Sequence, residues 1–378
     1  MVEIGPSSPR PRRILGFEPF DSGSHRAVRE SIERHSRHRW MWLTRPGRAW
    51  KWRMRLAAVE MFEQAQRAGV LDAPFDAVFA TSLMSLSDLR ALMARAGRGG
   101  VPFILYLHEN QAIYPTRDDA PGPDNWDANY ALTNLSSILA ADRVIFNSAW
   151  NRDSFIEGIE ALLRRAPDLE LHDIASRLRS IAQVIWPPVE PPDMSAQGGS
   201  ATGEWRTRRA ANDGAIRIVW PHRWEHDKGP DALLDIARHH AESLNLRFII
   251  LGQRFRDVPP AMIKLQQRFA DRIDHCGFVD DRCEYWQWLS RADWVLSTAR
   301  HEFFGIAVVE ALLAGCLPWL PDRLSYREIL PDATRNLSPV TPPRDPEAVR
   351  EAIRAHLAPA RAEESVRRLD RVIEETIN

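Results

Sequence analysis

Short apolar runs recur along this chain, each followed by a longer stretch whose apolar residues fall at helical spacing, and this alternation constrains the fold more than any other feature. In the first half the runs are Arg13–Phe17, Asp76–Ala80, Phe103–Leu107, Arg143–Phe146 and Gln183–Trp186. In the second half they are Ile216–Trp220, Arg247–Leu251, Asp293–Leu296 and Leu317–Leu320. Strands this apolar need cover on both faces, so the pattern predicts parallel sheets clothed in helices, with right-handed crossovers. The series breaks once, from Pro187 to Gly214, where PPVEPPDMSAQGGSATGEWRTRRAANDG is rich in Pro, Gly and Ser and has no apolar period. Two Rossmann-like α/β domains are therefore expected. Residues 1–190 form the first, 191–214 a linker, 215–355 the second, and 356–378 a last helix that packs back on the first. Ligands of such sheets sit beyond the C-terminal ends of the strands.

Composition narrows the class. With 44% hydrophobic and 27% charged residues, the 378-residue chain matches a soluble globular enzyme. A net charge of −1 excludes a uniformly basic nucleic-acid binder, though not a local basic patch. No run approaches the ~18 apolar residues of a membrane helix. MVEIGPSSPRPRR offers no apolar leader, and three cysteines make no disulfide framework, so a cytoplasmic protein is expected. Cys276, Cys283 and His275 lack the paired short spacings of a zinc site, and no D-x-D pair closes a strand. No metal is expected; a bound phosphate would be neutralised by arginine, lysine and backbone amides.

Four strand ends gather polar residues. Ile216–Trp220 runs into PHRWEHDKGP, which carries Arg223 and Lys228 toward a helix beginning near Pro230. Helix amides and two cations suit a diphosphate, although a solvated loop would look the same. Lys228 is also one of only three lysines, with Lys51 and Lys264, in a chain that otherwise uses arginine. Ser297–Gly305 carries Glu302, and Gly305 opens an apolar helix holding Glu310. A carboxylate there needs partners: sugar or ribose hydroxyls, or a neighbouring arginine. Phe103–Leu107 delivers His108, Glu109, Asn110, Gln111 and Tyr114, a dense set in which a histidine could touch a sugar or be structural. The first strand leads to Gly23, Ser24 and His25, without a dinucleotide fingerprint; no Walker motif occurs anywhere. Asn147–Ser148 reads as a helix N-cap.

The segment from Arg26 to Arg55 is strongly basic. Arg39, Arg48, Lys51 and Arg53 alternate with Trp40, Trp42, Trp50 and Trp52. Arginines that track phosphates beside rings that stack bases suit RNA; a charged helix whose tryptophans pack on the sheet is the alternative.

Arg223 with Lys228, Glu302 with Glu310, and His108 together resemble the retaining, metal-independent glycosyltransferases of the GT-B fold. More narrowly, YLHENQAIYP (Tyr106 to Pro115), IVWPHRWEHDK (Ile218 to Lys228) and STARHEFFG (Ser297 to Gly305) resemble the tRNA-queuosine mannosyltransferase family. The similarity runs from about Ile14 to Leu330 outside the linker, and the family's Gly-Gly-Ser-His reads Ser22-Gly23-Ser24-His25 here. The resemblance implies two facing domains with a cleft between them, no cofactor, GDP-mannose as donor, and as acceptor the cyclopentene-diol of queuosine in the anticodon of tRNA-Asp. Arg223 and Lys228 would grip the diphosphate, Glu302 and the amides of Phe303, Phe304 and Gly305 the sugar, and Glu310 the ribose. Val279, in the Gly277–Val279 loop, would lie at the nucleobase, and His108 near the reactive carbon. Gly23, Ser24 and Gly252 would line the donor. Glu109, Asn110, Gln111, Tyr114 and the Arg/Trp segment would face the acceptor.

Three alternatives compete. A lipid or polysaccharide acceptor would need a membrane-facing basic helix that is not evident. A sugar-nucleotide epimerase would leave the Arg/Trp segment idle. A non-catalytic tRNA-binding module would have no use for Lys228, Glu302 and Glu310.

Overall fold

The computed structural model describes residues 10–113, 128–166, 171, 173–192 and 214–378. Tyr114 and residues 193–213 of the expected linker lie outside them. The described residues form two compact units, one from 10–113, 128–188 and 362–378, the other from 189–361.

The first unit alternates β1 (Arg13–Asp21), α1 (Gly23–His35), β2 (Arg39–Pro46), α2 (Trp50–Arg67), β3 (Ala77–Thr81), α3 (Leu86–Arg95), β4 (Phe103–Leu107), α4 (Ala128–Leu139), β5 (Arg143–Phe146), α5 (Ala149–Leu163), α6 (Ile174–Ile181) and β6 (Ala182–Val184). Its strands run in the order β2-β1-β3-β4-β5-β6, all parallel. Every residue of β3 and β4 is buried, as strands covered on both faces must be. Phe17, Val78, Leu105 and Phe146 centre the core, each contributing about 1.5–3 kcal/mol by burial. Ser148 caps α5, its Oγ accepting from the Asn151 amide at 2.9 Å.

The second unit contains β7 (Ile216–Pro221), α7 (Pro230–His240), β8 (Leu246–Leu251), α8 (Pro260–Arg268), β9 (Ile273–Gly277), α9 (Arg282–Arg291), β10 (Trp294–Leu296), α10 (Ile306–Leu313), β11 (Leu317–Trp319), α11 (Tyr326–Ile329) and α12 (Pro346–His356). Its parallel sheet has the order β11-β10-β7-β8-β9. Helix α13 (Ala362–Ile377) belongs to the first unit. There Asp370 accepts hydrogen bonds from Ser36 Oγ at 2.6 Å and the Arg37 amide at 2.9 Å.

Two strands were not expected from the apolar runs. In β9 the residues Ile-Asp-His-Cys-Gly are half-buried at a sheet edge and carry little apolar signal. In β2 the sequence Arg-Trp-Met-Trp-Leu-Thr-Arg-Pro pairs Trp40 with Ile14 and Trp42 with Gly16. The two indoles stack 5.0 Å apart and meet Phe79 of β3 edge-on, reaching over β1 because Gly16 has no side chain in the path of the Trp42 ring. No helix among the described residues is long and apolar enough to cross a membrane.

Candidate active site

In the second unit, the loop after β7 is bolted to the loop after β10. Trp220 Nε1 donates to Thr298 Oγ1 at 2.9 Å, and that hydroxyl donates to the Lys228 carbonyl at 2.8 Å. Beside it His222 is buried, 2.9 Å from Ser297 Oγ, which lies 2.6 Å from the Tyr326 hydroxyl. Burial, then Lys228 and Arg223, hold His222 well below its ordinary pKa. Gly252, with φ +120°, ends β8 against the His222 carbonyl, where any side chain would collide.

Lys228 is itself buried. Its Nζ donates to the His301 carbonyl at 2.9 Å and lies 3.2 Å from Asp227 and 3.3 Å from Glu302. The structure thus brings Lys228 and Glu302 together and adds Asp227, which the sequence reading did not single out. The neighbouring His301 is pressed to a pKa of about 4 by burial and then by Lys228. Arg223 is half-exposed and pairs with Glu225 at 3.1 Å. Phe303 and Phe304 are buried, and Ser325 Oγ donates to the Phe304 carbonyl at 3.0 Å, fixing the turn that Gly305 leads into α10.

Glu310 is buried on α10 with both carboxylate oxygens engaged. Arg282 Nη2 lies 2.8 Å from Oε1, and the Tyr285 hydroxyl donates to Oε2 at 3.1 Å. Both partners come from α9, a contact invisible in local sequence. Burial, and then Glu310, raise the Tyr285 pKa. At the end of β9 Phe278 is 63% exposed and Val279 half-buried, leaving a flat aromatic face.

In the first unit, the ends of β1 and β4 converge. His25 sits between Glu18 (Nδ1 to Oε1, 3.1 Å) and Glu109 (Nε2 to Oε2, 3.2 Å), and its ring stacks on His108 at 3.8 Å. Ser82 Oγ donates to Glu109 at 2.7 Å, and Asn147 Nδ2 donates to the His108 carbonyl at 2.6 Å. Gly23 and Ser24 lie exposed in the first turn of α1. Asn110 is 0% exposed. Its amide donates to Asn151 Oδ1 at 2.8 Å and accepts from the Ala112 amide at 3.0 Å, and Gln111 is buried beside it. Among the described residues Glu18, His25 and His108 form a group whose ligand atoms lie within 4.8 Å of one another. Imidazole lone pairs lie in the ring plane, and two rings stacked at 26° do not aim at one ion.

The Arg/Trp segment divides. Trp40 and Trp42 pack on the sheet, and Trp50 lies 5.2 Å from Tyr130. Arg53 is paired with Glu60 at 2.6 Å, as is Arg45 at 2.8 Å. Arg39, Arg48, Lys51 and Trp52 are exposed, Trp52 by 70%, and Leu56 and Val59 continue its stripe along α2.

Residues 13–189 match the family described as tRNA-queuosine alpha-mannosyltransferase N-terminal, and residues 202–373 match glycosyl transferases group 1. A Drosophila melanogaster tRNA-queuosine alpha-mannosyltransferase is 33% identical over 320 residues, covering 84% of this chain and 81% of that protein. Among solved structures, Anabaena Alr3699/HepE in complex with UDP and glucose superposes with a TM-score of 0.57 at 15% identity, covering 97% of this chain and 99% of that one. Sucrose-phosphate synthase from Thermosynechococcus elongatus gives a TM-score of 0.59 at 14% identity, covering 97% and 95%. These likenesses identify the fold as GT-B.

Proposed function

Because the chain belongs to the tRNA-queuosine alpha-mannosyltransferase family and is a glycosyltransferase, we propose that it moves mannose from GDP-mannose to the cyclopentene-diol of queuosine in the anticodon of tRNA-Asp. The observation that carries this reading is the 33% identity to the Drosophila melanogaster enzyme, which spans 84% of the chain.

The chemistry of the second unit supports it. Glycosyl transfer passes through an oxocarbenium-like sugar while negative charge grows on the departing diphosphate. A cation held in place before the reaction stabilises that charge without reorganising. Lys228 is such a cation, pinned by the His301 carbonyl, Asp227 and Glu302, with the more exposed Arg223 on the same loop. Glu302 holds hydroxyls of the transferred mannose, and the amides of Phe303, Phe304 and Gly305 lie alongside. Ribose hydroxyls take the place of Arg282 and Tyr285 on Glu310, and the base rests on the Phe278–Val279 turn. In the first unit His108 contacts the sugar near its reactive carbon, and Trp52 with Lys51 and Arg48 receives the tRNA. The bond from the anomeric carbon to the phosphate oxygen breaks as the bond to the acceptor oxygen forms on the same face. The leaving phosphate oxygen takes the acceptor's proton, and attack on the face it leaves retains the configuration. No metal is needed where side-chain cations carry the neutralisation.

The test is incubation with GDP-mannose and queuosine-containing tRNA, followed by mass analysis of the nucleosides. One hexose is expected on queuosine and none on tRNA lacking it. Transfer regardless of queuosine, or none at saturating donor, would refute the proposal.

A further inference from the structure

In the reaction just described, His108 has a role and the three side chains packed around it have none. A neutral imidazole has one N–H and can donate to one anion. His25 faces two: Glu18 at 3.1 Å and Glu109 at 3.2 Å. Carboxylates only accept, so both contacts are hydrogen bonds when the ring carries both protons. Burial works against that charge, but Glu18 and then Glu109 outweigh it and push the His25 pKa up to about 10. The carboxylates are anchored in turn. Glu18 Oε1 accepts from the Phe20 amide at 2.8 Å, and Glu109 Oε1 accepts from Ser82 Oγ, which also accepts from the His108 amide at 3.3 Å.

His108 stacks on this cation with ring centroids 3.8 Å apart. Burial first, and the His25 charge second, hold it well below its ordinary pKa. Glu18 Oε2 lies 3.9 Å from His108 Nε2. Neither of those two atoms has a hydrogen-bond partner among the described residues. Thr81 Oγ1 and Trp42 Nε1, which line the same small cavity, also have no hydrogen-bond partner among the described residues. Arg29 is bound to Asp21 at 2.8 Å and Glu33 at 2.8 Å, and the buried Tyr106 meets His108 edge to face with ring centroids 4.8 Å apart.

We propose that His25 is a positioning residue: clamped as a cation between Glu18 and Glu109, it keeps the stacked His108 neutral and oriented toward the transferred sugar. The role rests on the assignment of His108 to that sugar. A neutral ring can donate to one hydroxyl and accept from another. It also adds no positive charge beside a carbon that becomes cationic, where an imidazolium would oppose the transition state.

The test uses ring-nitrogen NMR of the whole chain labelled at histidine, with resonances identified in His25→Gln and His108→Asn. In the unsubstituted protein, His25 should remain doubly protonated from pH 6 to 8 and His108 neutral over the same span. In His25→Gln, His108 should begin to titrate inside that window, and kcat should fall on the acid side at least tenfold with the donor KM unchanged. His25→Lys, which restores a cation, should recover a neutral His108. A neutral His25 at pH 8, or a folded His25→Gln protein with unaltered His108 titration and pH profile, would overturn the proposal. If His25→Gln does not fold, the spectra of the unsubstituted protein decide. Expected spectra without any mannosyl transfer would instead overturn the sugar assignment and leave the charge pattern standing.

Discussion

Replacing Lys228 with methionine keeps the apolar stem and removes the charge. Three oxygens surround Nζ, at 2.9, 3.2 and 3.3 Å from His301, Asp227 and Glu302. A unit charge about 4 Å from a phosphate oxygen is worth roughly 4 kcal/mol at an effective dielectric of 20. Loss of one preorganised electrostatic group typically raises a barrier by about 2.7–4 kcal/mol, so kcat should fall about 10²–10³-fold. Stability suffers too, because Asp227 and Glu302 lose their counter-charge. Breaking a buried ion pair costs about 3–5 kcal/mol, and the partial exposure of both carboxylates favours the lower figure. A unit of this size should then melt roughly 6–12 °C lower while remaining folded at 25 °C. The assay pairs single-turnover transfer at saturating donor with tRNA binding by filter retention. A lost rate with tRNA affinity within twofold is expected. An unchanged rate, or an equal loss of tRNA affinity, would refute the role given to Lys228.

Other consequences can be measured alongside. The His25 pKa rises from 6.5 to about 10 on folding, so its stabilisation is complete below about pH 6.5 and is lost as pH climbs through 10. Melting curves between pH 7 and 10 should show a loss on the order of a few kcal/mol that is absent in His25→Gln. Trp52→Ala should weaken tRNA binding about 5–100-fold, as loss of a stacked base does, with an unchanged melting temperature. Trp40→Ala or Trp42→Ala should instead cost about 3 kcal/mol of stability, the low end for loss of a large ring because both are half-buried where they pack on Phe79. Glu310→Ala should raise the donor KM about 10–100-fold without changing tRNA affinity, the loss of charge-assisted hydrogen bonds being about 1.5–3 kcal/mol.

Strands whose burial is two-sided announce themselves in the sequence. Phe103–Leu107 and Arg143–Phe146 coincide with β4 and β5, and Pro230 does begin a helix. Strand β2 was hidden because Arg26–Arg55 reads as one basic segment. Its period changes from 3.6 to 2 only across Arg39–Pro46, where Trp40 and Trp42 share a face. Strand β9 was hidden by its polar edge position. In the site, the anchors Lys228, Glu302 and Glu310 could be read from strand-end loops and an apolar helix. Their partners could not: Arg282 and Tyr285 reach Glu310 from α9, and Glu18 and Glu109 reach His25 from β1 and from the loop after β4. Such contacts are set by sheet order, which no local spacing encodes. The His25 motif was visible in Ser22–His25, but its two carboxylates lie 7 and 84 residues away.

The claim on which the mechanism stands is that protein cations alone balance the donor's pyrophosphate. A crystal structure of the chain with GDP-mannose, grown in chelator, tests it most directly. Pyrophosphate oxygens should lie within hydrogen-bond reach of Lys228 Nζ and the Arg223 guanidinium. A pyrophosphate bound away from both side chains, or donor binding that appears only when a divalent ion is restored, would contradict it.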